Sequence, residues 1–193
     1  MRIGILGGTF DPPHIGHLLL ARFAQEQAKL DLVLFIPTGM PYKKSHLNVT
    51  SAKRRLEMLR LAIAGESTFK VSDIEVMREG PTYTVDTLFS LQDIYGKSSE
   101  LFFIAGADTA ADMSSWKDAD VIASMITILV ASRENEAHLE IQPMFNVKEI
   151  AMPRIDVSSK IIRERAASGL SIRYFVHDSI IDYCKTHGLY FML

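Results

Sequence analysis

Two imidazoles three residues apart, His14 and His17, follow a Gly7-Gly8-Thr9 turn inside the string GGTFDPPHIGH, residues 7–17. At the start of a helix that spacing turns both rings toward one side. Gly7 and Gly8 have no Cβ, so their amides are open to close approach, and Thr9 adds a hydroxyl and a further amide. Such donors suit an anion, a phosphate chain above all. Gly16, between the histidines, leaves room for a base or a ribose against the backbone. Zinc is the competing use of an H-x-x-H pair, yet the chain has one cysteine and no third ligand of the right kind nearby. No nucleophile paired with a base is visible, so the chemistry calls for no covalent intermediate.

These residues need a strand before them and a helix after them. Ile3, Ile5 and Leu6 read as a buried strand that ends at Gly7-Gly8, and the apolar run from His17 to Phe23 reads as a helix. Further strands are expected at Leu32 to Ile36, Phe69 to Val76, Leu101 to Ala105, Met125 to Ala131 and Val147 to Ile150. Helices are expected between Ser51 and Gly65, from about Thr84 after the Gly80-Pro81 turn, from Ser158 or Ser159, and over Val176 to Tyr190. This alternation predicts an α/β fold, a doubly wound, mostly parallel sheet with helices on both faces, whose ligands sit at the carboxyl ends of the strands.

Other candidate residues fall at those ends. The Gly106-Ala107-Asp108 turn should face the same crevice as Gly7-Gly8, and Thr82, Tyr83 and Thr84 offer amides at a helix start. Trp116, the sole tryptophan, follows in a short helical region and reads either as core or as a stacking platform. Ser158, Ser159, Lys160 and Arg163 bring hydroxyls, helix amides and cations together, a seat for a triphosphate. The Pro- and Gly-containing stretch 37–51 reads as an irregular loop that carries Lys43, Lys44 and His46.

Composition narrows the class. With 193 residues, 48% hydrophobic and 23% charged, the chain suits one soluble globular domain. Its 21 Lys plus Arg against 23 Asp plus Glu give a net charge of −2, which offers no global attraction for nucleic acid or an anionic membrane. No apolar run approaches the ~20 residues a bilayer span needs. No signal-peptide pattern opens the sequence, and Cys184 has no partner for an internal disulfide, so a cytoplasmic location is expected. A homo-oligomer is compatible with this composition. The dehydrogenase fingerprint GxGxxG is absent, because position 4 is Gly and position 6 is Leu.

GGTFDPPHIGH resembles the signature of the HxGH nucleotidyltransferase superfamily. With DIEVMREGPTYTVDTL, GADTAADMSSWKDAD and VSSKIIR following in order, nearly the whole chain is similar to the bacterial nicotinate-nucleotide adenylyltransferase family. That resemblance implies transfer of AMP from ATP to nicotinate mononucleotide, with Mg²⁺ bound along with ATP. It implies a Rossmann-like nucleotidyltransferase fold, one domain over 1–193, and a C-terminal helical segment 156–193 that completes the ATP site. It assigns Gly8, Thr9, Phe10, His14, His17, Ser158, Ser159 and Arg163 to ATP, with His17, His14, Arg163 and Lys43 acting on the reacting phosphates. Thr84, Asp108 and Trp116 are assigned to nicotinate mononucleotide, the tryptophan stacking on the pyridine ring. The family's late motif reads I-S-S-T where this chain has Val157-Ser158-Ser159-Lys160, and His177 stands where many relatives carry a proline. A relative that uses another acceptor, such as nicotinamide mononucleotide or phosphopantetheine, and a nucleotide-binding protein without turnover are the alternatives.

Overall fold

The computed structural model describes residues 1–39, 49–132 and 142–191. Among them six strands form one sheet in the order β3-β2-β1-β4-β5-β6, every neighbouring pair parallel. The strands are β1 (Arg2–Gly8), β2 (Leu32–Pro37), β3 (Phe69–Val71), β4 (Glu100–Ala105), β5 (Ile126–Ser132) and β6 (Asn146–Ala151). Between them run α1 (Ile15–Gln27), α2 (Ala52–Ala62), α3 (Thr84–Tyr95), α4 (Ala107–Asp112) with a 3₁₀ turn at Met113–Ser115, and α5 (Ala119–Met125). Two more helices, α6 (Ser159–Ala167) and α7 (Asp178–Thr186), follow the sheet. The doubly wound reading holds. The strand order reverses between β1 and β4, and a crevice opens at such a switch point.

Both faces of the sheet are covered, which is why its strands are continuous apolar runs instead of alternating ones. In β2, Val33 and Phe35 enter one core with Ala21 and Ala24 of α1, Met58 and Leu59 of α2, Ile162 of α6 and Ile180 of α7. Leu32, Leu34 and Ile36 enter the other, with Leu88 and Leu91 of α3 and Ile122 of α5. At Gly4 a Cβ would lie 2.6 Å from the Leu30 side chain and 2.9 Å from that of Ile104, so any larger residue there requires those side chains to shift.

Several boundaries differ from the expected ones. Gly7 and Gly8 do not end β1 but are its last two residues, paired with Ile36 and Pro37. Helix α1 starts at Ile15, ahead of His17, with His14 at its N-cap. The strand expected over Phe69 to Val76 is only β3, because it lies at the sheet edge, has β2 as its one neighbour, and gives way to a turn in which Met77 N–H reaches Asp73 O. Helix α2 stops at Ala62, before Gly65. The last helix is shorter than Val176 to Tyr190, and His177 caps it through a Ser179 N–H bond to its ring. Ser158 alone caps α6, accepting Ile161 N–H. No helix among the described residues is long and apolar enough to cross a membrane.

Candidate active site

A cavity of about 580 Å³ opens at the switch point, lined by the end of β1, the residue after β2, the start of α3, and the β4–α4 segment. Of the expected residues it gathers Gly8, Thr9, Thr84, Asp108 and Trp116. Trp116 sits in extended backbone after the 3₁₀ turn, neither in a helix nor buried in the core. Its ring meets Phe103 edge-on with centroids 5.6 Å apart, and its indole N–H donates to Asp112 at 3.1 Å. Those two contacts fix the plane of the indole where it borders the cavity. Lys117 Nζ lies 4.6 Å from the centre of the Tyr83 ring, which brings a cation beside the amides at the start of α3.

His14 and His17 form a second grouping. Their rings stack with centroids 3.7 Å apart, and Phe10 meets His17 edge-on at 4.8 Å. His14 N–H donates to His17 Nδ1 at 3.2 Å, which leaves the proton of the neutral His17 ring on Nε2. Burial lowers the His14 pKa to about 4 and holds His17 well below the usual imidazole range, with the neighbouring His14 adding to the effect. Both rings are therefore neutral at pH 7, and His14 Nδ1 is buried without a hydrogen-bond partner. A neutral pair with donor capacity can accept a phosphate and become charged beside it.

The start of α6 is fastened to the loop between β1 and α1. Ser159 Oγ donates to Pro12 O at 2.8 Å and Arg163 Nη1 to Asp11 O at 2.6 Å, while Ile15 N–H donates to Phe175 O at 2.8 Å. Ser158, Ser159 and Arg163 thus adjoin the loop that ends at His14, the N-cap of α1.

The chain is similar to known proteins over nearly its whole length. The cytidylyltransferase-like family model matches residues 5–165. Two relatives bear the name "Probable nicotinate-nucleotide adenylyltransferase": one from Dehalococcoides mccartyi is 38% identical, over 98% of this chain and 97% of its own. One from Oceanobacillus iheyensis is 42% identical, over 97% and 96%. The chain belongs to the nicotinate-nucleotide adenylyltransferase family. In fold it is also similar to the Plasmodium falciparum nicotinic acid mononucleotide adenylyltransferase, with a TM-score of 0.80 at 20% identity, covering 98% of this chain and 97% of that one.

Packing or solvent surrounds three further residues of these motifs. Phe10 is 1% exposed, so its ring packs beneath the site; it fills the space a Cβ at Gly8 would take, 3.2 Å away. The room beside Gly16 is occupied by the His14 ring, whose Nδ1 would stand 3.1 Å from a Cβ there. Lys160 is solvated and pairs with Glu164 at 3.8 Å. Lys43 lies outside the described residues.

Sequence reasoning singled out neither Glu75 nor Thr87, both of which line the cavity. Thr87 Oγ1 donates to Glu75 at 2.9 Å and accepts from Arg78 at 3.1 Å. Burial pushes the Glu75 carboxyl up, opposed by the Thr87 bond and by the Arg78 charge. The signal for this cluster lay in its place within DIEVMREGPTYTVDTL. Arg55 likewise carries no sequence expectation, yet with Met58, Leu59 and Ala62 it lies on the buried stripe of α2.

Proposed function

We propose that the chain transfers the AMP moiety of ATP to nicotinate mononucleotide, giving deamido-NAD and pyrophosphate in NAD biosynthesis, with the acceptor in the 580 Å³ cavity. The observation that carries this reading is the cavity itself, lined by both an oriented indole and a helix start, in a chain 38% identical to a nicotinate-nucleotide adenylyltransferase relative over nearly its full length. The pyridine ring stacks on Trp116. The nicotinate carboxylate meets the amides at Thr84, where α3 begins, with Lys117 nearby. Asp108 borders the ribose.

ATP lies along the β1–α1 loop. Gly8 and Thr9 present backbone amides to it, with Phe10 supporting them from below. His17 Nε2–H and His14 hold phosphate oxygens, and Ser158, Ser159 and Arg163 close the triphosphate side, so that segment 156–193 completes the ATP site. The hydrogen bonds from Ser159 and Arg163 to Pro12 and Asp11 support this. Lys43 joins the phosphate-binding set by family resemblance.

The acceptor phosphate, with its second pKa near ~6, is mostly a dianion at neutral pH and needs no general base. The protein's task is to align two mutually repelling anions for in-line attack at the α-phosphate. Neutral imidazoles do this economically, because they take up charge only when phosphates surround them. Mg²⁺ bound along with ATP would supply neutralisation of phosphate charge. The donors beside the cleft, imidazoles, hydroxyls and a guanidinium, suit phosphate oxygens, which leaves the metal to those oxygens and water.

Because Trp116 is the only tryptophan, its emission reports the cavity. Nicotinate mononucleotide should change it saturably, phosphopantetheine should not, and Trp116→Phe should abolish the signal. A parent chain whose emission stays constant through millimolar nicotinate mononucleotide would contradict the placement.

A further inference from the structure

Arg55 is 1% exposed and lies on α2, a helix that contributes nothing to the cavity lining. Its guanidinium is engaged by backbone carbonyls from three segments. Nε donates to Thr50 O at 2.9 Å, Nη1 to Thr9 O at 2.7 Å, and Nη2 to Thr38 O at 2.7 Å and Gly39 O at 3.2 Å. Thr9 and Thr38 stand just past the ends of β1 and β2, and both line the cavity. Thr38 N–H also donates to Gly8 O at 2.9 Å, so the two strand ends are tied at their backbones as well.

A second contact fastens the same loop from the C-terminal side. Tyr190 O–H donates to Asp11 Oδ1 at 2.5 Å, Thr50 N–H to Asp11 Oδ2 at 3.3 Å, and Thr50 Oγ1 to Tyr190 at 3.2 Å. Tyr190 makes this bond from a left-handed backbone, φ 66°. That conformation costs a non-glycine residue free energy, and it persists where surrounding contacts impose it.

Keeping a cation dry is expensive unless its donors are well used. Four carbonyls from three segments are a demand that the five-donor guanidinium meets and an ammonium, a point with three donors, does not. We infer that Arg55 is a positioning residue for the transfer, fixing the Thr9 turn against Thr38 while the Tyr190–Asp11 bond holds the far side of the same loop. This rests on the reaction given under Proposed function. Displacements of about 1 Å at aligned reactants cost on the order of a hundredfold in rate, so a residue that touches no substrate still governs turnover.

The test compares full-length Arg55→Lys and Tyr190→Phe with the parent. Pyrophosphate release gives kcat and each KM, a non-hydrolysable ATP analogue gives Kd, and thermal melting gives the folded fraction. Folded Arg55→Lys should lose at least fivefold in kcat while the analogue's Kd stays within threefold; Tyr190→Phe should lose at least threefold in kcat. A smaller loss in folded Arg55→Lys overturns the inference, as does a rise in Kd that accounts for the whole effect. If Arg55→Lys does not fold, Tyr190→Phe decides alone, and a loss under threefold overturns it. An active parent with unchanged variants refutes the positioning role only, whereas a parent that releases no pyrophosphate refutes the reaction with it.

Discussion

His17 accepts the backbone N–H of His14 through Nδ1 at 3.2 Å, and the two rings stack at 3.7 Å. One bond thereby caps a helix and sets a tautomer. The Nε2 proton of His17 is left as the donor, on a ring held between His14 and Phe10.

Removing that donor should cost mainly rate. His17→Ala is expected to lower kcat by about 10² or more, the effect of losing one preorganised donor to developing charge, with little change in melting temperature. Steady-state kinetics beside a melting curve checks this, and near-normal turnover would remove His17 from the reacting phosphates.

The depressed imidazoles make stability and ATP binding depend on pH in a defined direction. His14 titrates near the ordinary 6.5 when unfolded and at about 4 when folded. Between those values the unfolded chain holds more protons, so this contribution is full above pH 6.5 and falls as pH drops toward 4. Melting temperature should decline over that window, less steeply in His14→Gln. Phosphates favour the charged rings, so ATP binding near pH 6 should take up protons, measurable by calorimetry in buffers of different ionisation enthalpy. Proton release on binding would contradict the placement of the histidines.

Trp116→Ala should raise the KM for nicotinate mononucleotide about tenfold, the equivalent of ~1.4 kcal/mol of stacking, and leave the KM for ATP nearly unchanged. Equal effects on both substrates would mean that the indole supports the fold and not the acceptor.

Cys184 is fully buried against Met58, and burial raises its thiol pKa to about 12. An aromatic disulfide reagent should therefore leave the native chain unlabelled and active, then label one thiol per chain on denaturation. Rapid labelling of the native protein would show that α7 opens readily.

Much of the fold was legible because buried parallel strands leave a plain trace. Runs such as LVLFI and LFFIA have no polar face to alternate with, and each precedes a helix in the chain. Less legible was whatever depends on a distant partner. Val71, Ile74 and Val76 looked like one strand, but the sheet edge supplies no ladder beyond Val71. Phe10 and Gly16 sit in the recognised motif, yet one is buried under Gly8 and the other accommodates His14, packing facts that spacing does not carry. Arg55 contacts Thr9, 46 residues earlier, and a charged residue early in a helix is ordinarily solvated. Its position on the apolar stripe with Met58, Leu59 and Ala62 was the available sign.

The most direct test of the account is pyrophosphate release by the purified chain with ATP and Mg²⁺, comparing nicotinate mononucleotide, nicotinamide mononucleotide and phosphopantetheine as acceptors. Strong preference for nicotinate mononucleotide is the predicted result, because helix-start amides and Lys117 favour a carboxylate over a neutral amide. Turnover with phosphopantetheine alone, or with none of the three, would contradict it.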